Sequence, residues 1–222
     1  MGSIMYAMLC TRPNVSYPLS VTSRYQSDPG QAHWTAVKNI LKYLRRTRDS
    51  FLVYVGERDL IVNGYMDASF QTDRDDSKSQ SGYVFLLNGG AVVWKSSKQN
   101  TVADSVTEAE YIAASEAAKE GVWIKNFLTE LEVVPSISSP VDLYCDNTGA
   151  IAQSKEPRSH QRSKHVMRRF HLIREIVDRG DVKVNKVDGA ANTADSLTKP
   201  LPQASHEMHT ASMGIRRMSD WL

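Results

Sequence analysis

Residues 104–131, DSVTEAEYIAASEAAKEGVWIKNFLTEL, have the composition and caps of one long helix that carries a carboxylate on its apolar side. Ser105 is a favourable N-cap, and Glu108 three residues later completes the S/T-x-x-E pattern in which each side chain covers an orphan backbone N–H. At about 100° per residue, Glu110 lines up with Ala114, Ala117, Gly121, Ile124 and Leu128, the stripe that faces the rest of the protein, while Glu108, Lys119, Asn126 and Glu130 lie opposite. An ionised carboxylate at the edge of such a stripe needs a partner that offsets its desolvation, such as a metal ion or a catalytic constellation. A carboxylate in a first turn also suits the helix dipole, so this stretch alone leaves both readings open.

Working outward, residues 51–55 and 60–66 are β-rich runs separated by Gly56-Glu57-Arg58-Asp59, which predicts an antiparallel hairpin. A polar loop, in which Asp75 and Asp76 read as a solvated turn, leads to residues 82–87, and Asn88-Gly89-Gly90 turns the chain into residues 91–95. Beyond the helix, residues 133–140 are a Pro/Ser-rich connection and residues 141–145, VDLYC, a short buried strand reached by a right-handed crossover into the same sheet. Residues 147–154 and 163–179 follow as helices, residues 181–187 as an alternating strand, and residues 192–199 as a last helical turn or two. Before all of these, Pro13 and Pro18 break the first stretch into short helical pieces. Residues 31–48 form an amphipathic helix with Trp34, Val37, Ile40, Leu41 and Leu44 on one face and Arg45, Arg46 and Arg48 at its end. From Pro200 onward no period emerges, and the terminus reads as a partly mobile tail.

The chain has 222 residues and a formal net charge of +2, enough for one generous domain with an appendage and without a global basic bias toward nucleic acid. Cys10 and Cys145 give no disulfide framework and read as packing residues in a reducing compartment. No apolar run approaches the roughly 20 residues of a membrane span, and the start lacks the plan of a signal peptide. These features predict a soluble intracellular protein of the cytoplasm or nucleus, without membrane partners.

Asp67 follows the run 60–66 and Asp146 follows the run 141–145, positions that border a ligand-binding crevice in α/β sheets. Asp195 falls at N3 of a turn capped by Asn192. With Glu110 they make four carboxylates on four elements. Each aspartate alone also fits a turn or cap. Gathered in one cleft, they would need divalent cations to neutralise them, and an all-oxygen donor set suits Mg²⁺ or Mn²⁺. Two such ions could clamp an in-line phosphoryl displacement.

The runs GYMDASF, VADSVTEAEYIAASEA, LYCDNTGAI, SKHVMRRFHLIRE and NTADSLTKP, in this order, resemble the ribonuclease H domain of copia-type LTR retrotransposon Pol polyproteins. The segment from Tyr6 to Thr47 resembles the stretch that ends the reverse transcriptase in these polyproteins; the Tyr-x-Asp-Asp motif of the polymerase palm is absent. The resemblance implies an α/β fold with a ribonuclease H-like mixed five-stranded sheet and flanking helices, preceded by a short helical segment. The corresponding division is residues 1–50, 51–200 for the ribonuclease H domain, and 201–222 for the tail. It also implies Asp67, Glu110, Asp146 and Asp195 as metal ligands, two Mg²⁺ ions with Mn²⁺ as substitute, and an RNA/DNA hybrid as substrate, cleaved in its RNA strand. Cellular relatives carry a histidine in a mobile loop before the last aspartate; residues 187–191 offer none, which leaves His165 or His171 as stand-ins.

For the substrate, Lys155, Arg158, Arg162, Lys164, Arg168, Arg169 and Arg174, with His160, His165 and His171 interleaved, make a local basic patch that the net charge conceals. On a helix from Ser163, Lys164, Arg168 and His171 share one face. Lys95, Ser96, Lys98 and Gln99 after the run AVVWK, Ser105 and Thr107 at the start of the long helix, and Asn147 beside Asp146 complete the candidate contacts. Hybrid recognition would use 2′-hydroxyls across a wide, shallow groove. Trp94 and Trp123 read as core residues. Two other functions fit parts of the pattern: a host-retained fragment that binds nucleic acid or protein without catalysis, and an integrase-like enzyme, against which the order of the carboxylates speaks. Residues 1–50 offer a surface for the reverse transcriptase or for self-association.

Overall fold

The structure, a computed structural model, describes residues 1–56, 60–156 and 171–221. Three helices come first, α1 (Gly2–Thr11), α2 (Ser16–Ser23) and α3 (Gln31–Arg46), then a short strand β1 (Ser50–Leu52). Next are β2 (Val62–Ser69), β3 (Gln80–Leu87), β4 (Gly90–Lys98) and the long helix α4 (Val106–Leu131). They are followed by β5 (Val141–Cys145), α5 (Thr148–Lys155), α6 (Leu172–Asp178) and β6 (Val182–Lys186). A 3₁₀ turn (Thr193–Leu197), α7 (Gln203–Ser212) and β7 (Ile215–Arg217) come last before a closing 3₁₀ turn.

Five strands form one mixed sheet in the order β4-β3-β2-β5-β6, with β2, β3 and β4 antiparallel and β5 and β6 parallel to β2. This is the α/β architecture that the resemblance implies. Asn88 and Gly89, with φ of 48° and 73°, form a two-residue turn between β3 and β4 whose backbone twist matches that of the strands. On β5 and β6 the apolar positions Val141, Leu143, Cys145, Val182 and Val184 are buried, as a period of two requires. Helix α4 packs across β2 and β3 on a face rich in alanine. Beneath it β2 has Gly64, where an added Cβ would sit 2.5 Å from Cε1 of Phe85, so the missing side chain makes room for that ring.

Several expectations change. Residues 51–55 do not pair with residues 60–66; β1 runs antiparallel to β7, Ser50 opposite Arg217, in a separate two-stranded sheet. The terminus is therefore an ordered helix and strand: Met213 buries against Val84, Leu86, Ala91 and Leu197 on the second face of the main sheet, and Ile215, also buried, pairs opposite Leu52 of β1. The expected helix over residues 163–179 is described only as α6, since residues 157–170 lie outside the described residues. On α3, Ile40 is buried beside Val37 and Leu44 against α1 and α2, while Trp34 and Leu41 remain about half exposed. Trp123 is not core: it is 55% exposed and stacks on Phe127 one helical turn away, with centroids 5.3 Å apart. Trp94 does pack at the second-face core.

Polar contacts tie the first three helices to one another and to the rest of the fold. Arg12 donates to the Thr47 carbonyl at 3.0 Å, Arg24 pairs with the buried Asp73 at 2.6 Å, and Nε2 of His206 on α7 donates to the Asn14 carbonyl at 3.2 Å. Among the described residues, no helix is long and apolar enough to cross a membrane.

Candidate metal centre

Strand β2 runs two residues past Asp67, which thus lies within the strand rather than after it and is 2% exposed. Asp146 follows β5 directly and is half-buried. Glu110 projects from the second turn of α4 into the core, 4% exposed, on the face assigned from helix phase. Glu108 stays outside with a capping role: its N–H donates to Ser105 Oγ at 3.1 Å and its carboxylate accepts from the Asp104 N–H at 3.0 Å. Asp195 stands at N3 of the 3₁₀ turn, whose Asn192 cap accepts from the Ala194 N–H and, through Nδ2, donates to the Met66 carbonyl beside Asp67.

One carboxylate oxygen each from Asp67, Asp146 and Asp195 lies within 4.8 Å of the others, and the same limit holds for Glu110, Asp146 and Cys145 Sγ. Asp146 is common to both groups, so the four carboxylates form one cluster. Glu110 Oε1 accepts from the Ala68 N–H at 3.2 Å, whereas Glu110 Oε2 and Asp195 Oδ1 are buried and find no hydrogen-bond partner among the described residues. Burial, then the charges of Asp67 and Asp146, pushes the Glu110 carboxyl well above its usual range. Burial, then Asp195, does the same to Asp67, against the opposing effect of Lys199 and of the Thr198 hydroxyl. Burial, then Glu110, raises the Cys145 thiol, and as a soft donor it suits a hard cation less than the carboxylates do. Orphaned buried oxygens and an oxygen-only donor set fit a hard divalent cation. The cluster itself thus points to use of divalent metal.

The other candidate residues divide. Ser105 and Asn147 cap α4 and α5, and Thr107 touches Gly149, where an added Cβ would meet Thr107 Cγ2 at 2.9 Å. The N-termini of α4 and α5 therefore abut beside the cluster. Lys95 is exposed on the edge strand β4. Ser96 and Lys98, both partly exposed, have partners within the protein: Ser96 Oγ donates to the Leu197 carbonyl at 2.6 Å and accepts from Gln80, and Lys98 bridges Asp73 and Asp76 at 3.1 and 3.0 Å. The Asp76 side of that loop is thus an ion-paired corner rather than only a solvated turn. Gln99 is buried and donates to Ser81 and to the Ala109 carbonyl. The His171 ring lies 3.2 Å from the Tyr111 hydroxyl. Lys164, His165 and Arg168 lie outside the described residues.

Two residues at the cluster were not singled out from sequence. Thr198, fully buried, donates to Asp67 Oδ2, and Lys199 Nζ lies 2.9 Å from Asp195 Oδ2. The available signal was the i,i+4 spacing of Asp195 and Lys199.

No protein-family model matches the chain. It is 45% identical over 96% of its length to the retrovirus-related Pol polyprotein from transposon TNT 1-94 of Nicotiana tabacum, of which it spans 16%. It is 46% identical over 55% of its length to the secreted RxLR effector protein 161 of Plasmopara viticola, of which it spans 87%. Among solved structures, LC11-RNase H1 isolated from compost aligns with a TM-score of 0.46 and 17% identity, over 62% of this chain and 92% of that one.

Proposed function

Because the chain belongs to the retrovirus-related Pol polyproteins of transposons, we propose that it is their ribonuclease H segment and hydrolyses the RNA strand of RNA/DNA hybrids. The observation that carries this reading is the convergence of Asp67, Asp146 and Asp195 within 4.8 Å, next to a buried Glu110 with an orphaned oxygen. Two divalent ions, Mg²⁺ or Mn²⁺ in its place, would supply the positive charge that activates a water and stabilises the leaving oxygen.

The chain's own residues do the rest. Asp67, Glu110, Asp146 and Asp195 would hold the ions, with Asp146 common to the two groups of close ligand atoms. The Ala68 N–H and the Thr198 hydroxyl orient Glu110 and Asp67 before any ligand arrives, which reduces the reorganisation needed on binding. At the abutting N-termini of α4 and α5, Ser105, Thr107 and Asn147 would contact the hybrid, with backbone N–H groups meeting its phosphates and 2′-hydroxyls. Lys95 on the exposed edge strand would neutralise a phosphate of the duplex, and Lys164, His165 and Arg168, outside the described residues, with His171 are further candidates by sequence.

Cleavage of a labelled RNA/DNA hybrid by the purified chain in Mg²⁺ and in EDTA, beside Asp67→Asn, tests the reading. Metal-dependent loss of the RNA strand is expected for the unmutated chain. A drop of about a hundredfold or more is expected in the variant, since a metal's charge stabilisation is worth several kcal/mol. A hybrid that is bound but uncleaved in Mg²⁺ and Mn²⁺ would refute catalysis and support a binding fragment.

A further inference from the structure

The carboxylate cluster contains a cation of the protein's own. Lys199 Nζ sits 2.9 Å from Asp195 Oδ2, and the charges of Asp67 and Asp146 act on the same ammonium. The backbone fixes its origin: the Lys199 N–H donates to the Asp195 carbonyl, and the neighbouring Thr198 donates its hydroxyl to Asp67. The other lysine close by, Lys186, donates to the backbone carbonyl of Asp146 rather than to a carboxylate. Lys199 keeps 38% of its side chain in solvent, so its head can leave Asp195 along the flexible stem without backbone movement.

Mutually repelling carboxylates in a largely buried site lose stability unless positive charge compensates them. A divalent cation between the aspartates would supply more charge than one ammonium, and the two repel each other at this distance. We propose that Lys199 is a built-in counter-ion: it holds the aspartates together in the metal-free chain and cedes Asp195 when a divalent cation binds, so that competition with the lysine sets the metal affinity. This rests on the cluster being a metal centre. Lys199 is thus a positioning residue that acts through Asp195, and it stays charged throughout.

The test uses the full chain with Lys199→Met and Lys199→Arg, Mn²⁺ titrated by calorimetry, and thermal melts in EDTA and in saturating Mn²⁺. Lys199→Met should bind Mn²⁺ about tenfold tighter, as removal of one partly screened charge a few ångströms from the ion implies. It should also melt lower than the unmutated chain in EDTA, with the gap closing in Mn²⁺. Lys199→Arg should keep the unmutated pattern. Unchanged or weaker Mn²⁺ binding by Lys199→Met, while the unmutated chain binds normally, would overturn the counter-ion role alone. An unmutated chain that takes up no Mn²⁺ would overturn the metal centre and the proposal with it. A Lys199→Met chain that stays unfolded even in saturating Mn²⁺ would make the lysine simply structural, which also overturns it.

Discussion

Glu110 and Asp67 carry protons to higher pH than ordinary carboxyls, Glu110 because it is buried beside Asp67 and Asp146, and Asp67 because it is buried beside Asp195. Their folded-state pKa values are raised, so between the ordinary value near about 4 and the raised values the folded chain binds more protons than the unfolded one. Stability therefore falls as pH rises through that window. The metal-free chain should melt several degrees lower at about pH 8 than at about pH 5, and Glu110→Gln, which removes one of the repelling charges, should flatten the dependence. Thermal melts in EDTA at the two pH values check this, and equal slopes for the two chains would count against it. Glu110 was legible from helix phase, because a carboxylate on an alanine stripe conflicts with burial unless something compensates it. Thr198 and Lys199 were not, since a Thr-Lys pair after a short turn is equally at home on a surface.

Asp195 owes its place to a five-residue turn that has no core of its own and is held from outside. Asn192 anchors its start to the Met66 carbonyl, and Ser96 Oγ anchors its end at the Leu197 carbonyl while accepting from Gln80, whose Nε2 also donates to Ser20 Oγ on α2. Ser96→Ala removes the middle of this relay and leaves a buried carbonyl without that donor. It should cost about 1–2 kcal/mol in urea unfolding, with a weaker Mn²⁺ titration because the Asp195 turn is loosened. An unfolding midpoint equal to that of the unmutated chain would show that the relay does not hold the turn. Strands β2 to β6 and helix α4 were legible because their periods of 2 and 3.6 coincide with real burial. The partner of β1 was not. An alternating run says that a strand exists, and the nearest second run is the economical guess, but the residues that bury Met213 are distributed over β3, β4 and the Asp195 turn. Trp123 misled for a different reason: a large aromatic suggests burial by its type, whereas at about 100° per residue it lies on the outer side of α4 with Lys119 and Glu130, where it is indeed exposed.

Across the molecule, the helices before residue 50 are joined to the remainder by contacts that a sequence division at that point would sever. Arg24 pairs with Asp73, which is 4% exposed and also meets Lys98, and Arg24 reaches Gln80 of the relay as well. Arg24→Met should lower stability by about 1–2 kcal/mol, with the loss reduced at high salt; a salt-independent loss would mean that packing of the side chain, not its charge, is responsible. The pairing of β1 with β7 joins Ser50 to Arg217 and so closes a loop that contains the whole five-stranded sheet. Closing a loop of that length costs about 4–5 kcal/mol of chain entropy. During synthesis, β1 leaves the ribosome roughly 10–30 s before its partner has been translated. Over that interval the segment around Phe51 is an unpaired strand edge, and it is the place where a nascent chain of this protein meets chaperones or a wrong neighbour.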